Sequence, residues 1–332
     1  MSERVRPRED RLDALRGLAV IGMLETHAVN ALLAPLWREE AWFTALDAFN
    51  GLVAPTFLWI AGYAHGLGSR ARAESDARWR RAGRRLLFIC ALGYALHLPE
   101  APGDADWRRG FNVDILPCLA VTLLLVLAVE RWLPRRGTVL VAFLAGAVVL
   151  AGALPPDVLT NLTGFWPLDA WFDQSGRSLF PVIPWSGFVL LGVLMAWWPG
   201  TWWVWAATAG LVGAQFAPHS LQKSHPSLFF VRFFIVAVAA DGLRKLGHRI
   251  TFPRWLTWVG RESLAFYVVH LALLYWLPTT RWFGPRLDPL AVLAVAVALL
   301  VVSAAIVRLG RQGMTRWKHR HGAPKPRANA VP

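Results

Sequence analysis

The sequence predicts an all-α, polytopic integral membrane protein with about ten transmembrane helices. Among the 332 residues, 55% are hydrophobic and only 17% are charged, and the mean hydropathy is +0.40. The apolar residues form runs of roughly 17 to 25, which is the length that a helix needs to cross a hydrocarbon core of about 30 Å. This composition excludes an ordinary soluble enzyme.

Turn-forming residues separate the apolar runs and define the predicted helices. The segment Trp198-Pro199-Gly200-Thr201, for example, divides two runs, because Pro and Gly together end a helix. We expect residues 1–310 to form one membrane domain and residues 311–332 to form a basic cytoplasmic tail. The ten predicted spans cover residues 12–35, 43–68, 83–99, 112–131, 138–154, 180–198, 201–217, 227–245, 256–277 and 289–309.

The distribution of Lys and Arg predicts the orientation of the helices, because loops rich in these residues stay in the cytoplasm. Most of the 35 Lys and Arg residues fall on one side of the ten spans, so both termini are predicted to be cytoplasmic. This topology and the anionic lipids of the bilayer account for the net charge of +14, and we expect no nucleic-acid partner. The basic segments are the N-terminus, residues 70–85, 131–136 and 244–254, and the tail from residue 308.

Two further features of the composition narrow the class of protein. Arginine far outnumbers lysine, and Ala, Leu and Val dominate the apolar positions, which is typical of a bacterial gene of high GC content and predicts the bacterial inner membrane. Cys90 and Cys118 each lie within an apolar run and are too few for a disulfide framework or a cysteine-rich zinc site. We therefore expect no metal. The oligomeric state is not predicted.

Ionisable and polar residues inside the predicted spans are the first candidates for function. A charged side chain near the bilayer centre costs roughly 2.5 to 3.5 kcal/mol even on the lenient insertion scale, so each one needs a reason to be there. These residues are Arg16, Glu25 and His27 in the first span, Asp47, Asn50 and His65 in the second, Asp114 at the start of the fourth, Arg232 and Asp241 in the eighth, and Glu262 and His270 in the ninth.

Arg16 and His27 are predicted to share one face of the first helix. The eleven residues between them correspond to a rise of roughly 16 Å and a turn of about 1,100°, which returns to within about 20° of the same face. If Arg16 lies at the cytoplasmic boundary, His27 lies near the bilayer midplane. The same arithmetic from Trp258 places His270 roughly 18 Å deep, so the two histidines are expected at one depth.

A histidine at this depth has two interpretations. His27 can act as a proton acceptor or nucleophile, because neutral imidazole takes and returns a proton near pH 7. Alternatively, His27 or His270 serves only to join two helices by hydrogen bonds. Glu25 lies about 200° around the helix from His27 and is expected to face another helix. Arg232 is predicted to pair with Glu25 or with Asp47.

Arginines near helix N-termini are predicted to bind an anionic cytoplasmic cofactor. With the N-terminus inside, the first and third helices both begin at the cytoplasmic face, where helix dipole and guanidinium groups together favour phosphate. The alternative is that these arginines only anchor the helices to lipid. The candidates are Arg16 on the first helix and Arg80, Arg81, Arg84 and Arg85 on the third.

Four blocks of sequence carry a family resemblance. They are Arg11 to Val20 followed by His27, Pro55 to Gly62, Pro184 to Gly192, and Gly260 to His270. In this order they resemble the transmembrane acyltransferases, a superfamily that includes acyltransferase family 3 and the heparan-alpha-glucosaminide N-acetyltransferases. The spacing of Arg16 and His27 reproduces the pattern of arginine, ten residues and histidine that is found in acyltransferase family 3.

The resemblance implies an enzyme that takes an acyl group from cytoplasmic acyl-CoA, most simply acetyl-CoA, and delivers it to an acceptor at the opposite face, usually a sugar. Acyltransferase family 3 assigns His27 as the catalytic histidine and Arg16 to the donor site. The heparan-type enzymes use a histidine between the first two spans, and residues 28–49 here contain none. The acceptor therefore stays open, with an amino sugar or a hydroxyl group as the candidates.

The expected mechanism leaves some roles open. His27 either accepts the acyl group itself or takes a proton from an acceptor hydroxyl or amine that attacks the thioester. His270, Asn50 or Arg232 would hold the acceptor or the oxyanion, with Asp47 beside Arg232. A membrane carrier or flippase would also place charges at the midplane, although such proteins have two related halves that this sequence lacks. A non-catalytic membrane scaffold or sensor is the third alternative.

Overall fold

The computed structural model describes residues 10–70, 76–97, 110–133, 136–160, 162–175, 177–214, 225–246, 250–277 and 279–321. Within these ranges the regular structure is entirely helical, and one isolated bridge joins Leu33 to Leu287. The predicted all-α class is therefore confirmed for the described part of the chain.

The first half of the chain contains six long helices and a short 3-10 helix, Pro35–Glu39, after the first of them. The long helices are α1 (Asp10–Leu32), α2 (Ala41–Asn50), α3 (Val53–Arg70), α4 (Asp76–His97), α5 (Ile115–Trp132) and α6 (Gly137–Ala151).

The second half begins with two short helices, α7 (Pro156–Thr160) and α8 (Trp166–Asp169), between the fifth and sixth predicted spans. They are followed by α9 (Val182–Trp197), α10 (Trp202–Ala214), α11 (Pro226–Leu246), α12 (Arg254–Arg261), α13 (Ser263–Leu271), a π-helical turn (Ala272–Trp276), α14 (Thr279–Phe283) and α15 (Pro289–His321).

The chain is a membrane protein by the length and composition of its helices. Four described helical segments are long and apolar enough to cross a bilayer, namely Ala41–Ser69, Ile115–Trp132, Pro226–Lys245 and Pro289–Trp317. Three shorter apolar helices, Gly137–Ala151, Val182–Trp197 and Ser263–Trp276, lie among them. The total of about ten spans stays a prediction.

Two predicted spans are interrupted. The second span consists of α2 and α3, which are separated near Gly51, and the ninth consists of α12, α13 and the π-helical turn. The last helix, α15, extends beyond the predicted span 289–309 to His321, and the boundary of the basic tail stays a prediction. Residues 322–332 lie outside the described part of the chain.

The outward faces of α6 and α15 are apolar. Val139 and Phe143 on α6 are 73% and 71% exposed, and Leu290 and Val301 on α15 are 78% and 61% exposed. The opposite face of α15 is buried and includes Ser303. Large exposed apolar faces of this kind are stable when lipid covers them, which agrees with a membrane location.

Small residues let α3 and α9 pack backbone against backbone. A Cβ atom at Gly62 would overlap the carbonyl group of Val189, and a Cβ atom at Gly192 would overlap the carbonyl oxygen of Trp59. Such close contacts are typical of helix pairs in membranes. Both glycines belong to the sequence blocks that carry the family resemblance, so at these two positions packing explains the residue type.

The same kind of contact joins α1 to α12. A Cβ atom at Gly260 would overlap the carbonyl oxygen of Asp13, and one at Gly17 would overlap the carbonyl oxygen of Leu256. The two backbones therefore touch at this crossing. Since α13 continues the chain directly after α12, the contact also determines which face of α1 meets α13.

We predict that Gly260→Ala destabilises the protein by about 1 to 3 kcal/mol, because the added methyl group forces α12 away from α1. The midpoint of thermal unfolding in detergent should fall by several degrees. Gly146→Ala is the matched control, since a Cβ atom at Gly146 has no neighbour within 4 Å. Equal unfolding midpoints for the two variants would show that the contact between α1 and α12 does not require glycine.

Candidate active site

The C-terminal end of α1 is held in place by the chain on both sides of it. The Leu287 N–H donates to the carbonyl oxygen of Leu32 at 2.9 Å, and the Ala34 N–H donates to the carbonyl oxygen of Leu287 at 3.0 Å. Arg38 donates to the carbonyl oxygen of Asn30 at 3.0 Å, which satisfies one of the free carbonyl groups at the helix end. His27, five residues before the end of α1, is thereby fixed.

His27 and His270 form a ring contact between α1 and α13. Their ring centroids are 5.0 Å apart and the ring planes are tilted by 56°. Nδ1 of His27 lies 3.3 Å from the hydroxyl oxygen of Tyr275. We call His27, His270 and Tyr275 the histidine cluster. Tyr275 is 39% exposed, so the cluster reaches the protein surface on that side.

The protonation of His270 follows from its neighbours. Its side chain is fully buried, and Nδ1 lies 2.8 Å from the carbonyl oxygen of Phe266, four residues earlier on α13. A carbonyl oxygen can only accept a hydrogen bond, so Nδ1 must carry the hydrogen. Nε2 then holds a lone pair in the neutral ring, and within the described structure this buried atom has no hydrogen-bond partner.

Tyr275 reaches the cluster because the helix widens after α13. The Leu277 N–H donates to the carbonyl oxygen of Ala272 at 3.1 Å, which is the five-residue hydrogen bond of a π-helix. In an α-helix, residues five positions apart point about 140° away from each other. The wider π-helical turn instead brings Tyr275 toward the face of His270. The indole N–H of Trp276 donates to the carbonyl oxygen of Leu96 at 3.2 Å and ties this turn to α4.

A second group lies beside the histidine cluster, where α4 ends and α5 begins. Asp114 is 8% exposed and caps α5, because its Oδ1 accepts the Ile115 N–H at 2.7 Å. Its Oδ2 accepts the Tyr267 hydroxyl at 2.6 Å and lies 3.6 Å from Nε2 of His97. We call Asp114, Tyr267 and His97 the acid cluster. The Tyr267 ring lies 5.7 Å from the His270 ring and links the two clusters.

The predicted substrate-binding residues lie elsewhere. Asn50 donates a side-chain hydrogen bond to Glu25, and Arg232 interacts with Asp47 and lies over the ring of Trp185. Because Glu25 is about 200° around α1 from His27, this group faces the other side of that helix. Arg232 thus lies within electrostatic range of Asp47, and its pairing with Glu25 or with Asp47 stays a prediction.

At the opposite end of α1, Arg16 contacts an acidic residue. Its guanidinium lies 3.2 Å from Oδ1 of Asp13, which is 4% exposed, and Nε of Arg261 on α12 lies 4.0 Å from Oδ2 of the same carboxylate. Arg16 and His27 thus both lie on the side of α1 toward the segment formed by α12 and α13. Two arginines share one buried carboxylate, which leaves excess positive charge at this end.

The other predicted donor-binding arginines are on the surface of α4. Arg80, Arg81, Arg84 and Arg85 are all exposed. A separate cavity of about 80 Å³ opens at the end of α1 where Arg11 donates to the carbonyl oxygen of Arg244 at 2.8 Å. Its lining includes the stacked rings of Trp59 and Tyr63. Arg16 and His27 are not among the residues that line this cavity.

A comparison with known protein families identifies the family to which the chain is related. The family described as heparan-alpha-glucosaminide N-acetyltransferase, catalytic, matches residues 8–230, about two thirds of the chain. The chain belongs to this family. No curated protein matches the sequence. This family consists of transmembrane acetyltransferases. Of the two families that the sequence resembles, the match is to the heparan-type family.

The heparan-type match covers only part of the site. It includes Arg16, His27 and Asp114, and it ends before α12 and α13, which carry Tyr267 and His270. The roles of Arg16 and His27 depend on the pattern of acyltransferase family 3 and stay predictions. Among the described residues no group of His, Cys, Asp and Glu side chains could hold a metal ion.

The rise per residue predicts one common level for His27 and His270, which agrees with their ring contact, but it does not indicate their tyrosine neighbours. Tyr267 lies three residues before His270, and this spacing places both on one helical face, so it was detectable. Tyr275 was not, because a regular helix would turn it away. For Asp114 the sequence indicates an ionisable residue at the start of the fourth span and no specific role.

We predict that neutral His270 carries its hydrogen on Nδ1. Nitrogen chemical shifts of ¹⁵N-histidine-labelled protein at pH 8, assigned with single His→Gln variants, measure this directly. His225 is the internal control, because its Nδ1 accepts the Ser227 N–H and its hydrogen must be on Nε2. A hydrogen on Nε2 of His270 would contradict the geometry of the site.

Proposed function

We propose that the protein is a membrane-embedded acetyltransferase that moves an acetyl group from cytoplasmic acetyl-CoA to an amino or hydroxyl group of a sugar-like acceptor at the external face. The family supplies the reaction class, and its name supplies the glycan-like acceptor. The observation that carries the proposal is the ring contact between His27 and His270, beside a tyrosine hydroxyl. A pair of imidazoles can move the proton that acetyl transfer requires.

The proposed topology places the two substrates at opposite ends of α1. We take the chain as a protein of the bacterial inner membrane with about ten spans and both termini in the cytoplasm. In this orientation Arg16 lies at the cytoplasmic end, and His27 lies roughly 16 Å further along the helix. The histidine cluster is near the level at which α1 and α4 end and α5 begins, so it belongs to the external half of the bundle.

Acetyl-CoA would enter from the cytoplasm with its phosphates among the arginines. The proposal assigns Arg16 to this site, with Arg80, Arg81, Arg84 and Arg85 as a second basic surface that attracts the anionic donor. In this proposal the phosphate adds to the contact of Arg16 with Asp13, because a guanidinium group carries five N–H donors.

In the proposed transfer step, the acetyl group moves from the sulfur of coenzyme A to the acceptor. The acceptor nitrogen or oxygen attacks the thioester carbonyl carbon while His27 takes the acceptor proton. The carbon–sulfur bond then breaks, and the coenzyme A thiolate leaves and takes up that proton. Nε2 of His270, which holds a lone pair, can accept a hydrogen bond from the incoming amine or hydroxyl. The alternative route, in which His27 itself carries the acetyl group, uses the same residues.

Asn50, Asp47 and Arg232 have a different place in this proposal. For a direct role in binding, the acceptor would have to extend to the side of α1 that Glu25 occupies. A long glycan chain can span such a distance, whereas a single sugar unit at the histidine cluster cannot. These three residues are therefore proposed to contact only the remote part of an extended acceptor.

The decisive experiment is acetyl transfer by purified protein in detergent, with radiolabelled acetyl-CoA and a panel of glucosamine-type and hydroxyl acceptors. We expect labelled product from the wild type and a loss of at least about 100-fold in His27→Ala, because the proton acceptor is removed. His65→Gln is the control, since His65 lies 3.2 Å from Glu130, outside the histidine cluster. A wild type that labels none of the acceptors would overturn the proposed function and favour a carrier or a scaffold.

We also predict that Arg16→Ala weakens acetyl-CoA binding about 10-fold while the KM for the acceptor stays within about twofold, because one charge-assisted contact to phosphate is lost. Donor affinity is measured by equilibrium binding of labelled coenzyme A. Arg136→Ala removes a different exposed arginine from the predicted cytoplasmic face and should leave donor affinity unchanged. Equal affinities in wild type and Arg16→Ala would remove Arg16 from the donor site.

A further inference from the structure

Asp114 is a buried carboxylate for which the transfer step above has no use. It is 8% exposed, and its two oxygens serve different partners. Oδ1 caps α5, and Oδ2 accepts the Tyr267 hydroxyl and lies near His97. Capping needs only one neutral oxygen, which Ser, Thr or Asn supplies equally well. The cap therefore does not explain why this position carries a negative charge.

The position of Asp114 is set by close packing between α4 and α5. A Cβ atom at Gly93 would overlap the ring of Pro117, so the end of α4 lies directly against the first turn of α5. This contact brings His97 to within 3.6 Å of Asp114. The carboxylate is thus held by two helices and by the cap, and it cannot easily move away from Tyr267.

Tyr267 transmits this constraint to the histidine cluster. Its hydroxyl donates to Asp114 at 2.6 Å, and its ring packs edge-on at 5.7 Å from the His270 ring. His270 in turn lies 5.0 Å from His27. A continuous series of contacts therefore runs from α5 through α13 to α1.

The negative charge of Asp114 gives this series of contacts a possible function in the transfer step. When an imidazole of the histidine cluster takes the acceptor proton, a positive charge forms at a largely buried position, which is unfavourable without a nearby anion. Asp114 lies within electrostatic range of both His27 and His270. Tyr267 on α13 and Tyr275 on the π-helical turn also lie against these two rings, and His97 on α4 faces Asp114.

We propose that Asp114 is a positioning residue for the transfer, which rests on the function proposed above. Its Oδ2 holds Tyr267 against His270, and its negative charge stabilises the imidazolium that forms in the histidine cluster. The acceptor proton stays on the imidazole until the thiolate removes it, and no proton passes to Asp114.

The test is Asp114→Asn, which keeps the size of the side chain and the capping oxygen and removes the charge. We expect kcat to fall by about 10- to 100-fold, with the KM for acetyl-CoA within about twofold of the wild type. The half-maximal point of the rising limb of the pH profile should move to lower pH, because the imidazole loses its proton more easily without the anion.

Asp169→Asn is the matched control. Asp169 is 6% exposed and accepts the Thr163 N–H at 2.7 Å, so it is also a buried aspartate that satisfies a backbone donor, away from the histidine cluster. Its substitution should leave kcat and the pH profile unchanged. If Asp114→Asn lowers only the unfolding midpoint, as a purely structural residue would, the proposal is wrong.

A second variant keeps the proposal testable if Asp114→Asn does not fold. Tyr267→Phe retains the ring and the cap of α5 and loses the hydroxyl, so kcat should fall by roughly 3- to 10-fold. Wild-type kcat in Tyr267→Phe would exclude the link through Tyr267. Where both single variants fold, the double variant should lose less than the product of the two single effects, since both act through one contact. A fully multiplicative loss would show that Asp114 does not act through Tyr267.

The charge effect can be measured without turnover. In protein labelled with ¹³C at histidine Cε1, the titration midpoints of His27 and His270 should move to lower pH in Asp114→Asn. Unchanged midpoints would exclude the electrostatic role. If the wild type transfers no acetyl group, the proposed function fails, and this titration alone then decides whether Asp114 controls the charge of the histidine cluster.

Discussion

The contact between α1 and the segment formed by α12 and α13 is the constraint on which the rest of the site depends. At one end the backbones touch at Gly17 and Gly260, and at the other the rings of His27 and His270 meet. A helix pair that touches at its backbone has little freedom to rotate, so the first contact fixes the second. The imidazole pair is therefore a consequence of helix packing rather than of any local motif.

Irregular helix geometry is concentrated where the chemistry is proposed. Glu262 interrupts the helix between α12 and α13, and the π-helical turn at Ala272–Trp276 follows directly after α13. Inside a membrane such breaks are tolerated only where protein or a cavity satisfies the free backbone groups. Here Trp276 and Thr279 bind carbonyl groups around the turn. The departure from regular geometry is thus stabilised locally, and it presents Tyr275 to His27.

Sequence periodicity predicts the all-α class and one common level for His27 and His270, whose rings do meet, because both depend only on rise and turn per residue. It was insufficient where geometry departs from the regular helix or where a partner comes from a distant segment. Regular helical spacing does not place Tyr275 beside His27, because the π-helical turn changes its direction. The contact of Arg261 with Asp13 joins positions 248 residues apart, which periodicity does not indicate. Hydropathy indicates only the apolar part of α15, because the helix continues to His321 through charged residues.

The polar character of α1 requires that protein surrounds it. This helix carries His27 on one face and Glu25 on the other, and it contacts α2, α3, α11, α12, α13, α14 and α15. A helix with ionisable groups on opposite faces would be costly against lipid, so it belongs at the centre of the bundle. The arrangement separates two polar environments by the width of one helix. His27, for which we propose the catalytic role, therefore lies on the face of α1 opposite to the contact between Glu25 and Asn50.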